Sequence, residues 1–292
     1  MAQIGIITDS FACLDYLSYP YPITILRATL TIENERYLDH ADLTLSDFYA
    51  YLKKNPNRFP TTQQPSYQSI VDTLEAFLER QYETVIIITL SSHLSQFHAN
   101  ALLASQTFKD SMNVIVFDSA AVGYPQAKMA LTAAHLVSSG ADVGTIYRSL
   151  ETMRKHQRMF FAVETLDYLK QHGRLSNAKG YMGNVLKVKP ILGMNSSGEM
   201  LVIEKVRTFS RAIDRLIEVY SEYVNNSTVE PFIMHANNAS VADYIEARLK
   251  ALDPTLRKIF ITPVTPALAA HVGPGAVALG YLDYPKDLLK GS

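Results

Sequence analysis

The residues best suited to chemistry begin with Gly173-Arg174-Leu175-Ser176, which places an arginine at a glycine turn. Glycine takes positive φ and lets a ligand or another backbone come close. Ser176 is expected to cap a helix running through Lys187, with Ala178, Tyr181, Met182, Val185 and Leu186 on its apolar face. Arg174 then stands at a helix entrance, where an anion is favoured. The plainer alternative is an ordinary turn with a solvated arginine. Hydroxyls recur at Thr61 and Thr62 and at Ser91, Ser92 and Ser95, and an imidazole, His271, precedes Val272-Gly273-Pro274-Gly275. Hydroxyls, a guanidinium and an imidazole without paired acids suit recognition of a carboxylate or phosphate. Taken singly, each hydroxyl is better explained as a strand-end cap, and His271 reads as well as a structural histidine.

A hydrolase can also be assembled on paper. Ser92 or Ser95 would be the nucleophile, His93, His98 or His271 the base, and Asp118 its orienter. No G-x-S-x-G elbow supports it. A metal site is weaker, because His93 and His98 lack helical i, i+4 spacing with supporting carboxylates. Neither G-x-x-x-x-G-K-[ST] nor G-x-G-x-x-G occurs, so nucleotide binding is unsupported.

These residues need elements to hold them. Ile4–Thr8 reads as a buried strand ending at Asp9-Ser10, and Ile23–Ile32 as a second. Residues 58–66 read as a loop, because Pro60 and Pro65 block regular pairing. Thr84–Leu90 is the clearest buried strand, ending at Ser91-Ser92, and Val114–Phe117 ends at Asp118-Ser119. Helices are expected at 45–52, from Ser66, from the Ser91–Ser95 loop through Phe108, and at 126–138 and 143–156. Alternating strands and helices imply a parallel sheet, and ligands bind beyond the carboxyl ends of such strands. Three hydroxyl-bearing loops, with Ser10, Ser92 and Ser119, are therefore expected to converge on one crevice. The second half differs: Val188–Met194 and Met200–Val206 read as a hairpin around Asn195–Glu199.

The chain has 292 residues, 48% hydrophobic and 19% charged, with formal net charge -1 and pI about 6.7. That length suggests two units, expected at 1–156 and 157–290. No long basic run exists, so nucleic acid is not an expected partner. Cys13 is the single cysteine, which excludes an intrachain disulfide and points to a reducing cytoplasm. The start of the chain does not resemble a signal peptide, and no apolar run approaches a membrane span.

These segments together resemble the DegV family of fatty-acid-binding proteins, and among them the FakB-type binding subunit of bacterial fatty acid kinase. The resemblance rests on Thr8-Asp9-Ser10, Pro60-Thr61-Thr62-Gln63-Gln64-Pro65-Ser66, Ser91-Ser92-His93-Leu94-Ser95 and Asp118-Ser119 with Gly123. It continues through Gly173-Arg174-Leu175-Ser176, Lys189-Pro190-Ile191-Leu192, Lys205 with Arg207, and His271–Gly275. It implies a two-domain α/β fold: an N-terminal parallel-sheet domain, a C-terminal domain with a mixed sheet, and a lipid tunnel between them. One long-chain fatty acid would be the ligand, with no cofactor and no metal. The family's carboxylate contacts carry over to Thr62 and Ser95, and Arg174 and His271 look like parts of the polar network beside them. A separate ATP-dependent kinase subunit would phosphorylate the bound carboxylate, so this chain would not itself be the enzyme. Transient contact with a membrane surface would fit delivery of the product. The alternatives are a small-molecule carboxylate carrier or sensor without a kinase, and a Ser-dependent acyl hydrolase.

The sequence departs from the family pattern at Gln63, where Ser is usual, and at Gln96-Phe97, where Gly-Thr would follow Ser95. A left-handed backbone at Gln96 would be strained, and Phe97 is expected to approach the head-group end and shorten the tunnel.

Overall fold

The computed structural model describes residues 3–175, 189–224, 229–256 and 258–283. In chain order the strands are β1 (Ile4–Asp9), β2 (Thr24–Leu26), β3 (Thr29–Ile32), β4 (Glu35–Leu38), β5 (Thr61–Gln63), β6 (Thr84–Thr89) and β7 (Asn113–Asp118). They continue with β8 (Gln157–Ala162), β9 (Lys189–Met194), β10 (Met200–Val206), β11 (Glu230–His235), β12 (Phe260–Pro263) and β13 (Val277–Leu282). The helices are α1 (Leu45–Lys54), α2 (Tyr67–Glu79), α3 (Phe97–Thr107), α4 (Tyr124–Ser138), α5 (Val143–Lys155), α6 (Asp167–Gln171), α7 (Phe209–Val224), α8 (Ala239–Leu252) and α9 (Pro266–Val272).

β6 is buried at all six positions. A strand covered on both faces has no reason to alternate, so its apolar run is unbroken. It lies inside a parallel sheet of order β2-β1-β6-β7. β4, β3 and β5 make a small antiparallel sheet, and the strands from residue 157 onward make a six-stranded mixed sheet of order β10-β9-β8-β13-β11-β12. In that sheet only β11 and β12 are parallel.

Alternation along β8 separates two apolar clusters. Phe160 joins the cluster under α7 and α8, while Phe161 joins the large cluster that also holds Ile7, Ile88 and Phe117. Successive strand residues face opposite sides, so the mixed sheet turns one face to its own helices and the other to the parallel-sheet half. The expected hairpin is present, with Met194 opposite Met200.

Two expectations about the chain path are corrected. Residues 23–32 form two strands in different sheets rather than one. The break is at Arg27, whose Nη2 and Nη1 donate to Asp15 Oδ1 (2.6 Å) and Oδ2 (3.1 Å) while Nη1 also reaches the Asp39 carbonyl (2.9 Å). Residues 58–66 are not wholly loop, because Thr61–Gln63 pairs with β3, Leu30 facing Thr62. A proline removes only its own N–H, and the four residues between Pro60 and Pro65 keep theirs. Among the described residues no helix is long and apolar enough to cross a membrane.

Candidate functional site

A cavity lies between the two halves, enclosing about 840 Å³ of space free of protein atoms, its mouth included. Most of the wall is apolar, with Phe161, Met159, Met200, Met234, Val264 and Leu268 among the contributors. The polar exceptions include Thr62, Gln64, Ser95, Arg174 and His271. Sequence separation hides this grouping, which arises from four loops and strand ends.

Thr62 is delivered by β5. Pairing with β3 fixes its register, and alternation puts Gln64 on the same side. Ser95 sits in the turn after β6, where Leu94 and Ser95 both donate backbone N–H to the Ser91 carbonyl (2.9 and 3.3 Å). Arg174 follows α6 at a turn closed by Arg174 N–H to Leu169 O (3.0 Å), with Gly173 at φ 64. This is the left-handed helix end expected of glycine. The Arg174 guanidinium donates from Nε to the Leu94 carbonyl (3.0 Å) and from Nη1 to the His172 carbonyl. It therefore ties the Ser95 loop to the α6 turn. The helix expected from Ser176 through Lys187 lies outside the described residues.

His271 stands near the end of α9, a helix that the sequence reading did not identify. Its start was legible: Thr265 caps it by accepting from Leu268 N–H, and Pro266 occupies the first turn. Asp39 anchors the same end from the other half, accepting from Ala267 N–H at 2.9 Å. His271 Nε2 lies 2.6 Å from Thr62 Oγ1. Burial, then the neighbouring His172 and Arg174, push the His271 imidazole down to about 3. His172 is also lowered, chiefly by burial and then by Arg174. Both rings are thus neutral at pH 7, and Arg174 supplies the positive charge at this end.

Gly273 ends α9 at φ 80 and ψ 160, a region nearly closed to other residues. A Cβ there would come within 2.6 Å of the Tyr168 ring. Gly273→Ala is expected to reduce stability by roughly 2–4 kcal/mol, combining backbone strain with overpacking. Urea unfolding checks the loss; a stable variant with unaltered His271 chemical shifts would refute it.

Ser10, Ser92 and Ser119 do not line this cavity. Ser10 Oγ accepts from Ala28 N–H (3.1 Å), and Ser119 Oγ closes a tight turn with the Ala121 N–H and carbonyl (3.2 and 3.3 Å). Ser92 is exposed, and its N–H meets the Asp118 carboxylate at 3.3 Å. The three loops do converge, but mainly on one another. Asp9 accepts from Leu90 N–H (2.9 Å), and Ser91 Oγ donates to the Gly198 carbonyl at the hairpin tip (2.8 Å). The hydrolase partners go elsewhere: His98 Nδ1 to Thr89 Oγ1 (3.1 Å), His271 to Thr62, and Ser95 Oγ accepting from Phe97 N–H (3.1 Å).

The departures at Gln63 and Gln96-Phe97 leave the cavity intact. Gln63 is exposed and accepts from Arg36, on the opposite side of β5 from Thr62. Gln96 has φ −79 and ψ 1, so the expected left-handed strain is absent. Phe97 is fully buried in the main core and does not line the cavity, which corrects the expectation that it shortens the tunnel. Gln64 and the methionine wall were missed as site residues, although Gln64 was legible as two positions beyond Thr62 on a strand.

Comparison with known proteins agrees along nearly the whole length. The profile of the DegV family, described as uncharacterised proteins, matches residues 3–283. A DegV domain-containing protein of Halalkalibacterium halodurans is 32% identical, covering 96% of this chain and 99% of its own. Protein DegV of Bacillus subtilis is 32% identical over 95% of this chain and 98% of its own. Among solved structures, a fatty acid binding DegV family protein of Streptococcus agalactiae superposes with TM-score 0.89 at 26% identity, covering 98% of this chain and 100% of its own. The structure of DegV from Bacillus subtilis, described as a fatty acid binding protein, gives TM-score 0.83 at 31% identity, covering 97% and 100%. With this profile match, these identities and this fold, the chain belongs to the DegV family.

Proposed function

We propose that this protein binds one long-chain fatty acid in the cavity and presents its carboxylate to a separate ATP-dependent fatty acid kinase subunit. The observation that carries the binding is an apolar cavity in which Thr62, Ser95, Arg174 and His271 are grouped. Burying a methylene contributes about 0.8 kcal/mol, so a long acyl chain supplies on the order of 10 kcal/mol before association terms. The head-group residues then fix orientation. In this reading the chain is a cytoplasmic binding subunit without a cofactor of its own, and the phosphoryl-transfer chemistry belongs to the partner. Residues 1–156 and 157–290 serve as the two units that enclose the ligand. The exposed Leu102 and Leu103 on α3, which begins two residues after Ser95, support transient contact with a membrane surface.

Native mass spectrometry of the purified protein, followed by organic extraction, tests the ligand. A stoichiometric intact long-chain acid is expected; a protein that stays empty when offered such acids refutes the reading. Production of an acyl phosphate only when ATP and a kinase subunit are added tests the second half.

Point changes at the head-group end should have graded effects. A hydrogen bond to a charged group contributes roughly 1.5–3 kcal/mol. Thr62→Ala or Ser95→Ala is therefore expected to weaken fatty acid binding by roughly ten- to a hundredfold. Arg174→Ala should impair phosphorylation more than retention, because its guanidinium holds the Ser95 loop in place. Displacement of a fluorescent fatty acid reads the first, and kinase-coupled turnover the second. Equal affinity of the wild type for an acid and the alkane of the same length would sink the head-group assignment.

A further inference from the structure

We propose that His172 is a positioning residue that forms, with His271, a paired-imidazole proton acceptor, so that the site takes up one proton when an acyl carboxylate binds. The inference rests on the fatty acid reading above and concerns the same end of the cavity. His172 precedes Gly173-Arg174, and its ring lies against that of His271 with centroids 4.5 Å apart and a 56° tilt. Two buried ring nitrogens in this pair, His172 Nε2 and His271 Nδ1, have no hydrogen-bond partner among the described residues. The Ala270 carbonyl accepts from the His172 ring. With Nε2 unpartnered, that bond falls on Nδ1, and Nε2 is left carrying a lone pair.

On the other ring, Nε2 is already engaged with Thr62 Oγ1 at 2.6 Å. If Thr62 turns its hydroxyl proton toward a bound carboxylate, its oxygen must accept from His271 Nε2–H. His271 Nδ1 then also carries a lone pair. Two neutral rings in contact, each with an unused acceptor, form a site for one added proton. A second proton is opposed by repulsion between two imidazolium rings so close together.

The charged and titratable groups acting on the pair are Arg174 and the rings themselves. Phe11, which also packs on His271 at 5.9 Å, is apolar, and Tyr168 lies beneath Gly273. No carboxylate among the described residues acts on either ring, so the empty site keeps both neutral. A ligand carboxylate changes this, since an opposite charge nearby favours the protonated ring. The reaction balances as empty site plus carboxylate plus one solvent proton giving an imidazolium–carboxylate pair. The sign follows: burial lowers the empty-site values, the ligand raises them, and affinity increases as pH falls between the two.

Calorimetry of palmitate binding at about pH 6, in two buffers of different ionisation heat, counts the protons taken up per acid bound. The wild type is expected to take up about one proton, with affinity rising up to about tenfold per pH unit as pH falls from about 7 to 5. His172→Gln retains an N–H for the Ala270 carbonyl but cannot titrate, and should bind palmitate with uptake near zero. His172→Gly provides a second variant should the glutamine not fold. A fatty alcohol of equal length should show no uptake with any of them. Equal uptake by wild type and both variants would put the proton on the ligand or on His271 alone and overturn the proposal. Palmitate binding by the wild type without uptake would overturn it while leaving the fatty acid reading intact. No palmitate binding at any pH would overturn both.

Discussion

Asp9→Ala is expected to lower the unfolding free energy by about 4 kcal/mol, a loss few single substitutions reach. Asp9 is fully buried at the carboxyl end of β1. It accepts from Phe11 N–H (3.0 Å), Leu90 N–H (2.9 Å) and the Gln126 side-chain amide (2.8 Å). Alanine would take this acceptor from the two buried backbone donors, at roughly 1–3 kcal/mol each before relaxation, while the Gln126 amide keeps Thr8 Oγ1 at 3.1 Å. Asparagine does not rescue the site, because its amide nitrogen would face donors. The loss would also reach the cavity, since Phe11 and Leu90 are part of its wall.

The pH dependence gives a second check. Burial is the main cause that pushes the Asp9 carboxyl up to about 7 from 3.8. A raised value means the folded state holds its proton more tightly than the unfolded chain. The stability contribution is therefore full below about 3.8 and is lost as pH rises through about 7. Asp39, raised to about 6 for the same main reason, acts in the same direction. The penalty of Asp9→Ala should thus be larger near pH 5 than near pH 8, where the wild type already buries a charge. Urea unfolding of both proteins at the two pH values measures it. A penalty that grows with pH would contradict the assignment.

Shortening the acyl chain by four methylenes is expected to weaken binding roughly two-hundred-fold, from about 0.8 kcal/mol per methylene. The effect arises from the apolar wall. Met159, Met200 and Met234 add a property that a leucine wall would lack: unbranched thioethers adjust to chains of different shape. The length dependence should therefore be steep while the dependence on unsaturation stays shallow. Displacement of a fluorescent fatty acid by acids of graded length gives both slopes. A series flat to within about twofold would remove the acyl tunnel and favour a carrier of small carboxylates.

Several parts of this protein were legible before any coordinates. The unbroken apolar run of β6 could only be a buried strand, and the polar pair closing each of β1, β6 and β7 marked one edge of the sheet. Asn195–Glu199 announced a hairpin. Thr62, Ser95, Arg174 and His271 were identified by residue type and by resemblance, and all four line one cavity. What local sequence reports is which face of an element is buried and how its ends are capped.

It does not report which distant element completes a contact. Thr62 and His271 are 209 positions apart, and only the packing of α9 against β3 and β5 brings them within 2.6 Å. The hydroxyls of Ser10 and Ser119 looked as available as that of Ser95, until the fold placed the backbone N–H groups of Ala28 and Ala121 beside them. A buried donor must be satisfied, and these two serines do so. Phe97 was expected at the head-group end but went to the core, since α3 packs against α2 and β7 and turns that face inward. The contact between His172 and His271 has no sequence signature at all. Composition and periodicity set the elements of this protein, whereas the cavity, its polar end and its proton chemistry come from long-range packing, where burial rather than residue type decides what each group can do.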